Sequence, residues 1–155
     1  MPGKRVLMVL LIGVFGNAST PTALAQELNV ASQLTPRLQD LLRQEMVSIQ
    51  AAGQEILAAL VAGDDARVGR LAQQIHDSFI LRQSMTAEDK QDLMAVVPEA
   101  FVQRDKAFHQ LAAQLAQAAR AGDRAAQHAS FAEMIQACSG CHARYARDRF
   151  SAYVE

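Results

Sequence analysis

The tripeptide Ala-Gly-Asp occurs twice in this chain, as Ala62-Gly63-Asp64 and as Ala121-Gly122-Asp123. Glycine accepts the left-handed backbone that ends a helix, and the aspartate after it can cap the first turn of the next one. A stop followed so closely by a start leaves no room for a wide loop, so the helices on either side must run antiparallel. The sequence between and around these turns is rich in Ala, Leu and Gln, with few β-branched runs and no strand-like alternation. Together these features predict an all-α protein, an antiparallel four-helix bundle with up-down-up-down topology.

Capping signals set the helix boundaries. Thr35 can cap and Pro36 suits the first helical position, so the first helix should start near them and run to about Ala62, before Gly63. Its apolar stripe is Leu42, Met46, Ile49, Gly53, Ile56 and Leu60. The second should start at Asp64 or Asp65 and extend to about Gln83, burying Val68, Leu71, Ile75 and Phe79. Residues 84–97 form a long connection in which Thr86-Ala87-Glu88-Asp89 can open a short crossing helix. Pro98 opens the third long helix, whose buried positions are Phe101, Phe108, Leu111 and Leu115, and Gly122 ends it. Asp123 starts the fourth, with Phe131, Met134, Ile135 and Cys138 on one stripe.

The N-terminus reads as a targeting segment. Lys4 and Arg5 precede an apolar run over residues 6–15, and Ala23-Leu24-Ala25 supplies small residues before Gln26. This is the pattern of a cleaved signal peptide, residues 1–25, which directs a domain of residues 26–155 to the periplasm. No later run approaches the roughly 20 apolar residues of a spanning helix, so the processed form has no membrane span. Without Lys4 and Arg5 the formal charge of −1 becomes −3, and no Lys/Arg cluster is present. That balance argues against nucleic acid as a partner. No acid/base pair, oriented nucleophile or glycine-rich phosphate loop stands out, so the chain does not read as an enzyme.

The chemistry sits in Cys138-Ser139-Gly140-Cys141-His142, which holds the only two cysteines. A disulfide across so short a loop is a poor staple for a fold. A thioredoxin-like pair wants a βαβ setting, and a structural zinc site wants four ligands, of which no second Cys/His pair exists. The pattern C-x-x-C-H is that of covalent haem attachment. On a helix its three ligating positions are i, i+3 and i+4 and share a face. Two thioethers then fix one edge of the porphyrin, and the histidine can turn beneath the iron.

With a helical chain, an export signal and this motif near the C-terminus, the sequence resembles the class II c-type cytochromes, cytochrome c-prime and its low-spin relatives. The resemblance implies one covalent haem c on Cys138 and Cys141, His142 as the proximal iron ligand, and an aromatic residue three places further on, here Tyr145. It also implies possible homodimers and a role among periplasmic redox partner proteins. One position departs from the family: Ala146 stands where a basic residue is common, with Arg144 and Arg147 at other offsets.

The sixth position on the iron decides between electron carriage and gas binding. In the family it is filled from the first helix, where Met46 lies on the stripe, with Ile49 and Gly53 as possible haem contacts. Rival ligands are His76 and His109 on the second and third helices, whose plainer reading is a boundary histidine bonded to water or a neighbouring side chain. His128 shares the fourth helix with His142 and cannot face it. The expectation is a monohaem one-electron carrier with His142/Met46 ligation. The alternative is a five-coordinate haem that binds nitric oxide or carbon monoxide, shielded by Val47 or Ile49.

Overall fold

The computed structural model describes residues 29–153; the leader assigned to residues 1–25 lies outside them. Six α-helices follow one another: α1 Pro36–Ala62, α2 Asp65–Asp77, α3 Leu81–Ser84, α4 Ala87–Val96, α5 Glu99–Arg120 and α6 Arg124–Tyr145. Short 3₁₀ turns at Ala31–Gln33 and Ser151–Tyr153 flank them, and the described residues contain no strand. The long helices α1, α2, α5 and α6 pack in sequence order as an antiparallel bundle, α5 lying against both α2 and α6 while α1 lies mainly on α2.

The boundaries arise where local chemistry puts them. Thr35 Oγ1 accepts the Leu38 N–H at 3.3 Å, and Pro36 occupies the first helical position. Gly63 ends α1 with φ 69°, after which Asp64 Oδ1 accepts the Arg67 N–H at 2.9 Å. The second turn repeats the device, with Gly122 at φ 68° and Asp123 Oδ1 accepting the Ala126 N–H at 3.0 Å. In the connection, Thr86 and Asp89 form a reciprocal capping box, and Arg37 reaches across to Asp89 at 3.1 Å, tying α1 to the start of α4. Asp89 sits below the usual carboxylate range, chiefly because the Thr86 backbone N–H donates to it, with Arg37 adding to the effect.

Two apolar clusters divide the bundle along its length. Near the Gly-Asp turns the core is built of small residues around a few branched ones. Ala52, Ile56 and Ala59 of α1 meet Val68, Ala72 and Ile75 of α2, and Ala112, Leu115, Ala116 and Ala119 of α5. Ile56, Ile75 and Leu115 are wholly buried, each contributing about 1.5–3 kcal/mol. At the opposite end Val30, Leu34, Leu38, Val97 and Tyr145 form a second cluster, flanked by Leu42, Met85, Leu93, Phe101, Val102 and Cys141. The chain entering α1 is fastened there to the end of α6: Asn29 and Ala146 form an antiparallel bridge, the Val30 N–H donates to the Tyr145 carbonyl at 3.0 Å, and Asp148 N–H donates to Asn29 Oδ1 at 3.2 Å.

Three expectations are corrected. The second helix stops at Asp77, not near Gln83, because Ser78 takes φ 65° and the amides after it are captured by a carboxylate on α1. Ile135 is not buried with Phe131, Met134 and Cys138; it is 51% exposed, since α1 touches α6 only lightly and leaves that flank uncovered. Met46, expected on the buried face, is 39% exposed, and the buried face of α1 is Leu38, Leu41, Glu45, Ile49, Ala52, Ile56 and Ala59. Among the described residues no helix is long and apolar enough to cross a membrane.

Two glycines separate turn geometry from simple space. A Cβ at Gly122 or at Gly53 would meet nothing within 4 Å, but only Gly122 has positive φ. Gly122→Ala should destabilise the protein by about 1–2 kcal/mol through the left-handed backbone, whereas Gly53→Ala, inside α1, should stabilise it by about 0.5–1 kcal/mol. Chemical denaturation midpoints that move the same way for both would contradict the turn assignment.

Candidate functional site

The motif occupies the last two turns of α6, which Asp123 starts and Tyr145 ends. Cys138 and Cys141 are free thiols, each half-buried. Burial pushes both up from the ordinary cysteine range, so they remain S–H groups at neutral pH; at Cys141 the Asp105 carboxylate adds to the rise and Arg104 opposes it. Gly140 lies beside α5, where an added Cβ would come within 3.9 Å of Arg104 Nη1. Cys141 joins the apolar cluster of Leu38, Leu42, Val97 and Phe101.

His142 is also half-buried, and desolvation lowers its pKa, favouring the neutral imidazole that can bind a metal. Its ring is stacked on Phe150, centroids 4.2 Å apart and planes 6° from parallel. Phe150 carries no periodic or motif signal because it lies past the helix end, and sequence reasoning passed over it. Tyr145 is buried, meets Phe101 edge-on at 5.3 Å, and has a hydroxyl with no hydrogen-bond partner. A buried, unspent O–H in an apolar wall is costly, and fits a position meant to meet an acceptor from a bound group.

Facing this cluster is a cavity of about 410 Å³ between α1, α5 and the connection through α3 and α4. Leu38, Leu42, Glu45, Met46 and Ile49 of α1 line it, as do Phe101, Asp105, Phe108 and His109 of α5 and His76 at the end of α2. Its walls are shared with the cluster that contains Cys141 and Tyr145, through Val30, Leu34, Leu38, Leu42, Val97 and Phe101. Met46 and Ile49 therefore reach the cavity, whereas Cys138, Cys141, His142 and Tyr145 are not among its lining residues; Cys141 and Tyr145 belong to the apolar cluster that shares those wall residues. Gly53 is not part of the lining, and Val47 is exposed on the outer side of α1.

The two rival histidines bond to carbonyls of each other's helices. His76 Nδ1–H donates to the His109 carbonyl at 2.9 Å, and His109 Nδ1–H donates to the Ile75 carbonyl at 2.7 Å. Because carbonyls only accept, both rings must carry a proton on Nδ1. His109 Nε2 then faces Asp105 at 3.6 Å. Burial works to lower the His109 pKa, but Asp105, the Ile75 carbonyl and the Glu45 charge outweigh it, and the net displacement is upward. Among the described residues no group of three or more His, Cys, Asp or Glu side chains converges to hold a bare metal ion.

His109 thus makes stability depend on pH. Its folded-state pKa is raised, so its contribution is fully present below the unfolded value near 6.5 and disappears as pH climbs through the higher folded value. The gap in unfolding free energy between the native protein and His109→Gln should be widest in mildly acidic buffer and close toward alkaline pH. A gap that widens with rising pH would reverse the assignment.

A sequence profile of the family described as Cytochrome C' matches residues 41–146, from within α1 through the motif to the end of α6. Comparison with curated proteins and with solved structures finds no match.

Proposed function

This chain belongs to the Cytochrome C' family, and we propose that it is a periplasmic monohaem electron carrier whose iron is held by His142 and Met46. The family carries covalently attached haem c, and the carrying observation is the intact Cys138-Ser139-Gly140-Cys141-His142 motif inside the matched region. The donor set fits that group. Two cysteines stand one helical turn apart, a histidine whose pKa is lowered by burial follows them, and the apolar cluster that includes Tyr145, with its unspent hydroxyl, shares residues with the lining of a cavity of about 410 Å³.

When bound, the haem supplies a one-electron iron couple. The polypeptide does the rest. Cys138 and Cys141 anchor one edge, Phe150 fixes the plane of the His142 ring, and Tyr145 offers its O–H. Leu38, Leu42, Phe101 and Phe108 exclude water, and burial of this kind helps to set the potential. Met46 presents a thioether from the α1 wall, and His/Met pairing favours electron carriage over catalysis. Its partners would be periplasmic redox proteins. Pairing of two copies fits the exposed Val47, Leu57 and Val61 on α1.

The second reading is a five-coordinate haem that binds nitric oxide or carbon monoxide. The family description favours it, and so does the exposure of Met46, which packing does not hold in place. Against it stands Ala146 in place of the common basic residue.

Protein made with a haem-attachment system and recovered from the periplasm should have the mass of residues 26–155 plus one haem, and a colourless product at the polypeptide mass alone would remove both readings. In the coloured protein, the reduced spectrum should be low-spin and change little with carbon monoxide. Met46→Ala should turn it high-spin and let carbon monoxide bind promptly; a spectrum unaltered by this substitution would leave the five-coordinate reading in possession.

A further inference from the structure

Glu45 is the most buried charged side chain on α1, 2% exposed, and it directly precedes Met46. A carboxylate so enclosed normally needs a cation. Among the described residues none of the ion pairs involves it. Its partners are backbone amides instead: Phe79 N–H donates to Oε1 at 3.1 Å, while Ile80 and Leu81 N–H donate to Oε2 at 2.6 and 3.0 Å. Three consecutive amides turned on one carboxylate explain why α2 ends at Asp77. They also explain why Ser78, a residue that has a Cβ, tolerates φ 65°. Ser78 Oγ in turn accepts the Arg82 N–H at 3.2 Å, closing the turn.

The clamp has a direction. Glu45, Ser78, Leu81, Arg82 and Met85 all line the same cavity as Met46. On the His142/Met46 reading, the segment held by Glu45 is therefore a wall of the space from which a sixth ligand would approach the iron. Arg37 also donates to the Ser84 carbonyl at 3.0 Å, while α3 itself is a single turn of four residues with no side-chain cap and no buried residue.

We propose that Glu45 is a positioning residue for the sixth coordination position, holding residues 78–84 against the cavity beside Met46 and so keeping external diatomic ligands out. This rests on the His142/Met46 reading. It adds that the specificity of the site is set from α1 by a group that never touches the iron. A glutamine at position 45 would replace one acceptor oxygen by an N–H₂ that faces N–H groups, releasing at least one amide. An aspartate would keep the charge but draw it back from the segment.

The test uses the haem-loaded, ferrous protein and carbon monoxide as the probe. Glu45→Gln should bind carbon monoxide about tenfold more tightly or more than the native protein, with Glu45→Asp between the two, a coupling of ordinary size. Folded variants that both bind with the native affinity would overturn the proposal. Met46→Ala, which opens the iron and leaves Glu45 in place, gives a measurement that does not depend on a Glu45 variant folding. By reciprocity, its saturation with carbon monoxide should speed hydrogen exchange at the amides of Phe79, Ile80 and Leu81 and leave Leu115 unchanged. Unchanged protection at all three would also overturn it. Failure of the ligand assignment looks different: native protein and Met46→Ala would then take up carbon monoxide equally fast. Failure of Glu45 alone leaves Met46→Ala open and Glu45→Gln closed.

Discussion

Close approach of α2 and α5 governs the rest of the architecture. Where they cross, Gly69 would place a Cβ 3.5 Å from that of Ala119 and 3.8 Å from the Ala116 carbonyl, ordinary contact with nothing to spare. Small residues on both helices allow this proximity, and the branched side chains of Val68, Ile75 and Leu115 fill what remains. Helices pinned together at one end by short Gly-Asp turns can diverge at the other. There the side chains are large, and the connection between α2 and α5 is long enough to be drawn into the gap. The bundle is consequently dense at the turn end and hollow at the motif end, which is the asymmetry a flat cofactor requires.

The hollow end is held in shape by its apolar cluster and also by polar contacts that run between helices. His76 and His109 exchange carbonyl bonds across α2 and α5, Arg37 links α1 to α4, and Glu45 gathers three amides of the connection. Each joins elements that would otherwise separate on that side. Several of these groups face the same cavity, so the charges that fix its outline also shape the field inside it. His109 already registers this, since both Asp105 and Glu45 help to raise its pKa against the effect of burial.

What could be foreseen from the sequence was what is decided within a few residues. Thr35, Asp64, Thr86 with Asp89, and Asp123 cap helices through bonds to amides three positions on, and their spelling is visible in any window of that size. The spacing of Cys138, Cys141 and His142 is local in the same way, and so is their common side of α6. The end of α2 was not legible, because it depends on a glutamate more than thirty positions earlier, and Ser78 gives no local hint of a left-handed backbone. Met46 and Ile135 were misjudged for a related reason. Periodicity marks a stripe, but the presence of a cavity or an uncovered flank depends on where neighbouring helices lie. Phe150 and the paired histidine bonds belong to this second kind, made by the fold and absent from any motif.

The fastening of Asn29 and Val30 to Tyr145, Ala146 and Asp148 bears on the order in which the molecule is put together. The two hairpins form from neighbouring sequence, whereas Asn29 and Asp148 are 119 positions apart and contacts of such range tend to come late. Val30 and Tyr145 belong to the wall of the hollow end, so that wall stays unfinished until the extremities of the domain meet. A cofactor held only by packing would escape during the interval. A tether at Cys138 and Cys141, as proposed, would keep its local concentration high while the chamber closes around it, which would give the covalent linkage a use in assembly as well as in service.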